Sequence, residues 1–228
     1  MPSSSHLQIS LVTDWIYKLN PKKVLDIGVG NGRYGFLCRD LLDTPFDDNP
    51  NRIIMEGIEG YEKYVTDIHR LVYDKIYLGN CLKIIDDLSN DYDLILFIDV
   101  IEHLDKEDGK KFLEKLMKKS KNIIVGTPKG FTKQDDVFGN ELERHRSGWD
   151  TSDLKSYSNI IVKEIKTEFP YKLLFFIGED YSKIKLKSRS KKIIGLIHYN
   201  GFFRILTTFF KKTGFTKLKS VRNFFGLD

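Results

Sequence analysis

The sequence predicts an α/β domain with a doubly wound, mostly parallel sheet, and three observations carry that reading. Val24-Leu25-Asp26-Ile27 is a short apolar β-run that breaks into glycines at 28, 30, 32 and 35, then continues as an amphipathic run from Arg33 to Leu42. Short β-runs and helical runs alternate along the chain as far as Ile177. Tyr92 to Ile98, YDLILFI, is apolar almost throughout, as expected of a central parallel strand covered on both faces.

The 228 residues suit one such domain plus an extension, and 41% hydrophobic with 30% charged residues excludes bulk disorder. The N-terminal stretch has no basic region followed by an apolar one, so no signal peptide is expected, and no uninterrupted apolar run reaches membrane-spanning length. Cys38 and Cys81 read as reduced thiols of a cytoplasmic protein. Charge is uneven: Tyr181 to Asp228 holds 12 Lys+Arg and one acid, leaving 25 Lys+Arg against 31 acids in the first 180 residues. The expected organisation is an N-terminal helix over 1–20, an acidic globular domain over 21–180 and a basic, aromatic extension over 181–228.

His6 to Leu19 carries Leu7, Leu11, Trp15 and Leu19 at helical spacing and is stopped by Pro21. Beyond the glycine turn, Asp40 to Asn51 is a polar loop and Arg52 to Ile58 a second strand ending in Glu59-Gly60. Tyr61 to Leu71 reads as one helix, Lys75 to Leu78 as a third strand, and Asn80-Cys81 as the turn after it. The central strand leads into Asp99-Val100-Ile101-Glu102-His103-Leu104 and a helix from Lys106 to Lys119. A fifth strand, Asn122 to Val125, is followed by an expected turn over Gly126-Thr127-Pro128-Lys129-Gly130. Phe131 to Asp150 is a long loop, and long loops in compact domains are often functional. A short helix opens at Thr151, and Asn159 to Thr167 with Tyr171 to Ile177 form a closing strand pair joined at Phe169-Pro170.

Asp26-x-Gly28-x-Gly30-x-Gly32 resembles motif I of class I S-adenosylmethionine-dependent methyltransferases, and the likeness extends over residues 20–178. DVIEHL resembles the motif after strand four in the branch that includes ubiquinone-biosynthesis O-methyltransferases. TPKG resembles its TPNG-like turn, and GNELERHRSGW its loop carrying a His followed by a Trp. The resemblance implies a seven-stranded Rossmann-like methyltransferase fold, S-adenosyl-L-methionine as methyl donor, and a hydroxyl of a small molecule or glycan-type intermediate as acceptor. It implies a donor site of Asp26, Gly28, Gly30, Glu59, Asn80, Ile98 and Asp99. Glu59 at the tip of strand two would accept from two ribose hydroxyls; alternatively it is a solvated loop residue. Asn80 would lie beside the adenine, or simply serve the turn.

A hydroxyl acceptor needs a base, and His103 and His145 are the candidates in loops on the active face. Asp99, Glu102 and His103, spaced i, i+3, i+4, can face one way on a helical turn and with His145 form a site for a divalent cation such as Mg²⁺. The ubiquinone-type and small-RNA 2′-O-methyltransferases, which have metal-linked sites of this pattern, carry Glu where this chain has Asp99. Otherwise Glu102 and His103 only brace the helix start. The rival functions are an NAD-dependent oxidoreductase, which leaves DVIEHL and TPKG without a role, and a donor-binding module without catalysis. In the extension, seven phenylalanines among lysines suit peripheral contact with an anionic membrane or packing on the domain or a second copy, with nucleic acid behind.

Overall fold

The computed structural model describes residues 4–43, 52–166 and 171–185. A 3₁₀ turn at His6–Gln8 leads into α1, Ile9–Leu19, which buries Val12, Trp15, Ile16 and Leu19 and is ended by left-handed Asn20 ahead of Pro21. β1, Lys23–Ile27, the glycine turn, α2, Arg33–Leu42, and β2, Ile54–Glu59, follow as expected.

The single helix expected from Tyr61 to Leu71 is two pieces, a 3₁₀ turn at Glu62–Tyr64 and α3, Asp67–Val72. The β-branched pair Val65-Thr66 is extended, and Thr66 forms a capping box with His69 that starts α3 afresh. β3 spans Lys75–Leu78. Cys81–Asp87 then forms α4, an element the sequence reading did not anticipate, and Asn80 Oδ1 caps it by accepting from Leu82 N–H at 2.9 Å.

β4, Leu94–Ile98, is buried at every position, and a 3₁₀ turn at Ile101–His103 precedes α5, Lys106–Lys119. β5 runs Asn122–Pro128, so the first half of the expected turn is strand. Its partner explains the difference: Thr127 and Pro128 stand in register with Leu173 and Lys172 of a later strand. Short 3₁₀ turns at Glu141–Glu143 and Thr151–Leu154 lead to β6, Ile160–Ile165, β7, Lys172–Gly178, and α6, Tyr181–Lys185.

The seven strands lie in the order β3-β2-β1-β4-β5-β7-β6. β1 pairs in parallel with β2 on one side and β4 on the other, and β7 is antiparallel between β5 and β6. Two apolar clusters cover the two faces, one including residues of α1 and α2, the other residues of α4 and α5. The chain travels outward from β1 in one direction and from β4 in the other, so the carboxyl ends of these strands open a crevice where an α/β sheet binds its ligands.

α6 comprises the first five residues of the expected extension, and its Ile184, 5% exposed, belongs to the apolar cluster that contains α1. Residues 186–228, the Phe169-Pro170 junction and loop residues 44–51 lie outside the described residues. Among the described residues no helix is long and apolar enough to cross a membrane. Cys38 and Cys81 are free thiols.

Candidate functional site

The glycine turn after β1 forms one wall of a cavity of about 360 Å³ at the crevice. Gly28 is left-handed (φ 77°), and a Cβ there would stand 2.4 Å from Val100 Cγ2, so only glycine fits. Gly30 is also left-handed (φ 53°), but a Cβ there would meet nothing closer than Gly28 O at 3.9 Å. Its position is set by polar contacts: Gly30 N–H donates to Glu59 Oε2 at 3.1 Å and Gly30 O accepts from His69 Nε2 at 2.9 Å.

Glu59 closes β2 on the cavity wall, 5% exposed, with its other oxygen accepting from Tyr61 N–H at 2.9 Å. It is not a solvated loop residue. Burial raises its pKa, against the pull of these N–H groups. Each carboxylate oxygen retains an acceptor site for a further donor. Asn80 lines the cavity, and its Oδ1 is at the same time the cap of α4. Asp26 does not line the cavity. It is buried behind the turn, accepts from Tyr73 Oη–H at 2.7 Å, and is pushed up to about 7, chiefly by burial. Its place is under the turn because alternate residues of β1 face opposite sides of the sheet.

Ile98 and Asp99 lie where β4 ends, both on the cavity wall. Asp99 is left-handed (φ 54°), rare for a non-glycine residue. Its Oδ2 accepts from Gln8 Nε2 at 2.9 Å and its Oδ1 from Lys172 Nζ at 2.8 Å. Gln8 comes from the segment before α1 and Lys172 from the start of β7; sequence reasoning named neither, since nothing local to them signals a partner beyond β4.

His103 and His145 also line the cavity, with ring centroids 4.9 Å apart. His103 Nδ1 faces Arg144 O at 3.2 Å and His145 Nδ1 faces Thr132 O. A carbonyl only accepts, so both Nδ1 atoms carry the proton and each Nε2 is left as a base or ligand atom. Burial above all holds His103 down to about 4, keeping it neutral near pH 7. The loop bearing His145 is anchored by buried Trp149. Its indole N–H donates to Ser147 Oγ at 3.0 Å, its carbonyl accepts from Gly130 N–H at 2.7 Å, and the Lys106 ammonium lies 4.0 Å from its ring centroid.

Glu102, 3% exposed, accepts from Thr127 Oγ1–H at 3.0 Å and is pushed up to about 8, first by burial and then by the charge of Asp99. Donor atoms of Glu102, His103 and His145 lie within 4.8 Å of one another. The fourth expected member, Asp99, is not in this group. Its left-handed backbone breaks the helical turn that i, i+3, i+4 spacing assumes, and Gln8 and Lys172 occupy its oxygens. The remaining set, two imidazoles and one carboxylate, suits a transition ion such as Mn²⁺ or Zn²⁺ better than oxygen-seeking Mg²⁺.

No protein-family pattern and no curated protein sequence matches the chain. Solved structures do. A SAM-dependent methyltransferase from Archaeoglobus fulgidus superposes with a TM-score of 0.55 at 14% identity, over 75% of this chain and 94% of its own. Magnesium protoporphyrin IX methyltransferase from Synechocystis PCC 6803, solved with bound SAH, gives 0.54 at 16% identity over 76% and 84%. The N-terminal domain of EvdMO1, solved in the presence of SAH and D-fucose, gives 0.55 at 13% identity over 77% and 84%. With the strand order, these likenesses establish that the chain carries the Rossmann-like fold of class I S-adenosylmethionine-dependent methyltransferases.

Proposed function

We propose that this protein is an S-adenosylmethionine-dependent methyltransferase acting on a hydroxyl of a small molecule or glycan-type intermediate. The observation that carries the reading is one cavity lined both by Glu59 and Asn80 beside the Gly28–Gly30 turn and by His103 and His145, whose Nδ1 atoms face backbone carbonyls. The fold likeness and the DVIEHL and TPKG resemblance support it.

When bound, S-adenosylmethionine supplies a methyl group on a sulfonium, transferred in line to the acceptor oxygen. Glu59 would hold the ribose hydroxyls through the acceptor sites left on its two oxygens, and Asn80 would border the adenine. His103 or His145 takes the acceptor's proton at Nε2, and its Nδ1–H bond to a backbone carbonyl fixes the ring's orientation. Isothermal titration with S-adenosylmethionine, S-adenosylhomocysteine and NAD tests the donor, and labelled methyl transfer into a metabolite extract tests turnover. Affinity for NAD alone overturns the reading. Donor affinity without any labelled product leaves a binding module.

The donor cluster of Glu102, His103 and His145 favours a second version, in which a divalent cation orients the acceptor oxygen. Glu102 must lose its proton to serve as ligand, so cation affinity should rise with pH toward about 8. Chelator should then abolish turnover and Mn²⁺ restore it better than Mg²⁺. Turnover indifferent to chelator leaves the histidines as metal-free bases.

A further inference from the structure

We infer that His69 is a positioning residue of the donor site: its imidazole clamps the Gly30 carbonyl and so holds the glycine turn in its binding shape. The inference rests on the donor-site reading above. His69 lies on α3, 1% exposed, behind the turn and away from the cavity wall.

Its tautomer follows from its partners. Thr66 N–H donates to His69 Nδ1 at 3.0 Å, so Nδ1 carries the lone pair and Nε2 the proton. That N–H can only donate, and it meets Gly30 O at 2.9 Å. The ring lies nearly parallel to Tyr73, at 17° with centroids 6.1 Å apart, and Tyr73 in turn donates to Asp26 on β1. α3 and the residue that follows it therefore grip the chain at two points, one before the turn and one within it.

Gly30 needs such a grip. It is left-handed, and the nearest atom to a Cβ there would be 3.9 Å away, so packing does not confine it. A glycine without steric confinement samples many backbone states. Here the peptide before Gly30 is fixed by its N–H bond to Glu59 and the peptide after it by its C=O bond from His69. Removing the second bond frees the turn, and with it the donor that aligns the Glu59 carboxylate. The cost is preorganisation, which appears as lost affinity.

Two variants separate this clamp from an ordinary structural role. His69→Asn places an amide oxygen near Nδ1, keeping the acceptor for Thr66 N–H but falling short of Gly30. His69→Gln reaches the Nε2 position and keeps a donor for Gly30 O while disturbing the cap of α3. On the full chain, His69→Asn should melt near the native temperature, bind S-adenosylmethionine about three- to tenfold more weakly, as expected for one net hydrogen bond, and exchange the amide protons of residues 28–32 faster without ligand. His69→Gln should melt lower yet bind within about twofold of native.

A His69→Asn protein with native affinity and native amide exchange overturns the inference and leaves the donor reading intact. Should that variant not fold, His69→Gln decides: an affinity loss of tenfold or more in a folded Gln variant overturns the clamp. A native protein that takes no S-adenosylmethionine overturns the donor reading, and the clamp with it.

Discussion

Replacing Glu59 by Gln is the sharpest test of the donor site, because the change is nearly isosteric and its effect follows from two bonds. The carboxylate accepts Gly30 N–H at 3.1 Å on one oxygen and Tyr61 N–H at 2.9 Å on the other. An amide must turn its NH₂ toward one of those donors, which replaces a bond by a donor–donor contact, and it removes the charge. Hydrogen bonds to a charged group contribute about 1.5–3 kcal/mol each, so losing one ribose bond and weakening the other comes to about 2–4 kcal/mol. That is a rise of about 30- to 1000-fold in Kd for S-adenosylmethionine, read by isothermal titration with the melting temperature of the unliganded variant as the control for folding. A folded variant within about threefold of native affinity refutes the placement of the ribose at Glu59.

Asp26 keeps its proton to about pH 7 in the fold and releases it near 3.8 when unfolded, so native stability should fall as pH rises through that window. Asp26→Asn should flatten the slope in urea unfolding between pH 5 and 8, and a variant with an undiminished slope assigns it elsewhere. If His103 is the base, turnover should persist toward pH 4 on the acid side, whereas an acid limb at about 6.5 shows a histidine at its ordinary value. Trp149→Ala should cost about 3–5 kcal/mol of stability and lower turnover more than donor affinity, since it unpins the loop that carries His145; equal losses of both contradict that division. A chain ended after Lys185 should fold and bind donor, whereas one ended after Asp180 loses buried Ile184 and should melt lower. Flotation of the full chain, but not the Lys185 truncation, with anionic vesicles at low salt would support a membrane role for the extension, and its absence favours docking.

The sheet was legible because its strands bury short apolar runs whose limits are written in glycine and polar residues. One wall of the cavity was legible too, since Gly28, Gly30 and Glu59 are adjacent to strand ends. What escaped notice depends on partners remote in sequence. The break before α3 comes from a Thr66–His69 cap inside a stretch that reads as one helix, and α4 from an Asn80 cap that reads as a turn. β5 runs through Pro128 because β7 offers it an antiparallel partner. Asp99 leaves the expected cation site for the same kind of reason: spacing assumes a helix, and a left-handed residue held by Gln8 and Lys172 is not in one.

The insertion of β7 between β5 and β6 has a kinetic side. The β6–β7 hairpin can form locally, but β7 must then seat against β5, a pairing between strands about fifty residues apart in the chain. Lys172 rides on that hairpin and reaches Asp99 across 73 residues of sequence. A nascent or partly folded molecule can therefore hold the parallel half of the sheet and the glycine turn while Asp99 still lacks its ammonium partner. Completion of the cavity waits on the arrival of the last two strands, so competence to bind should appear as a late, single step in refolding.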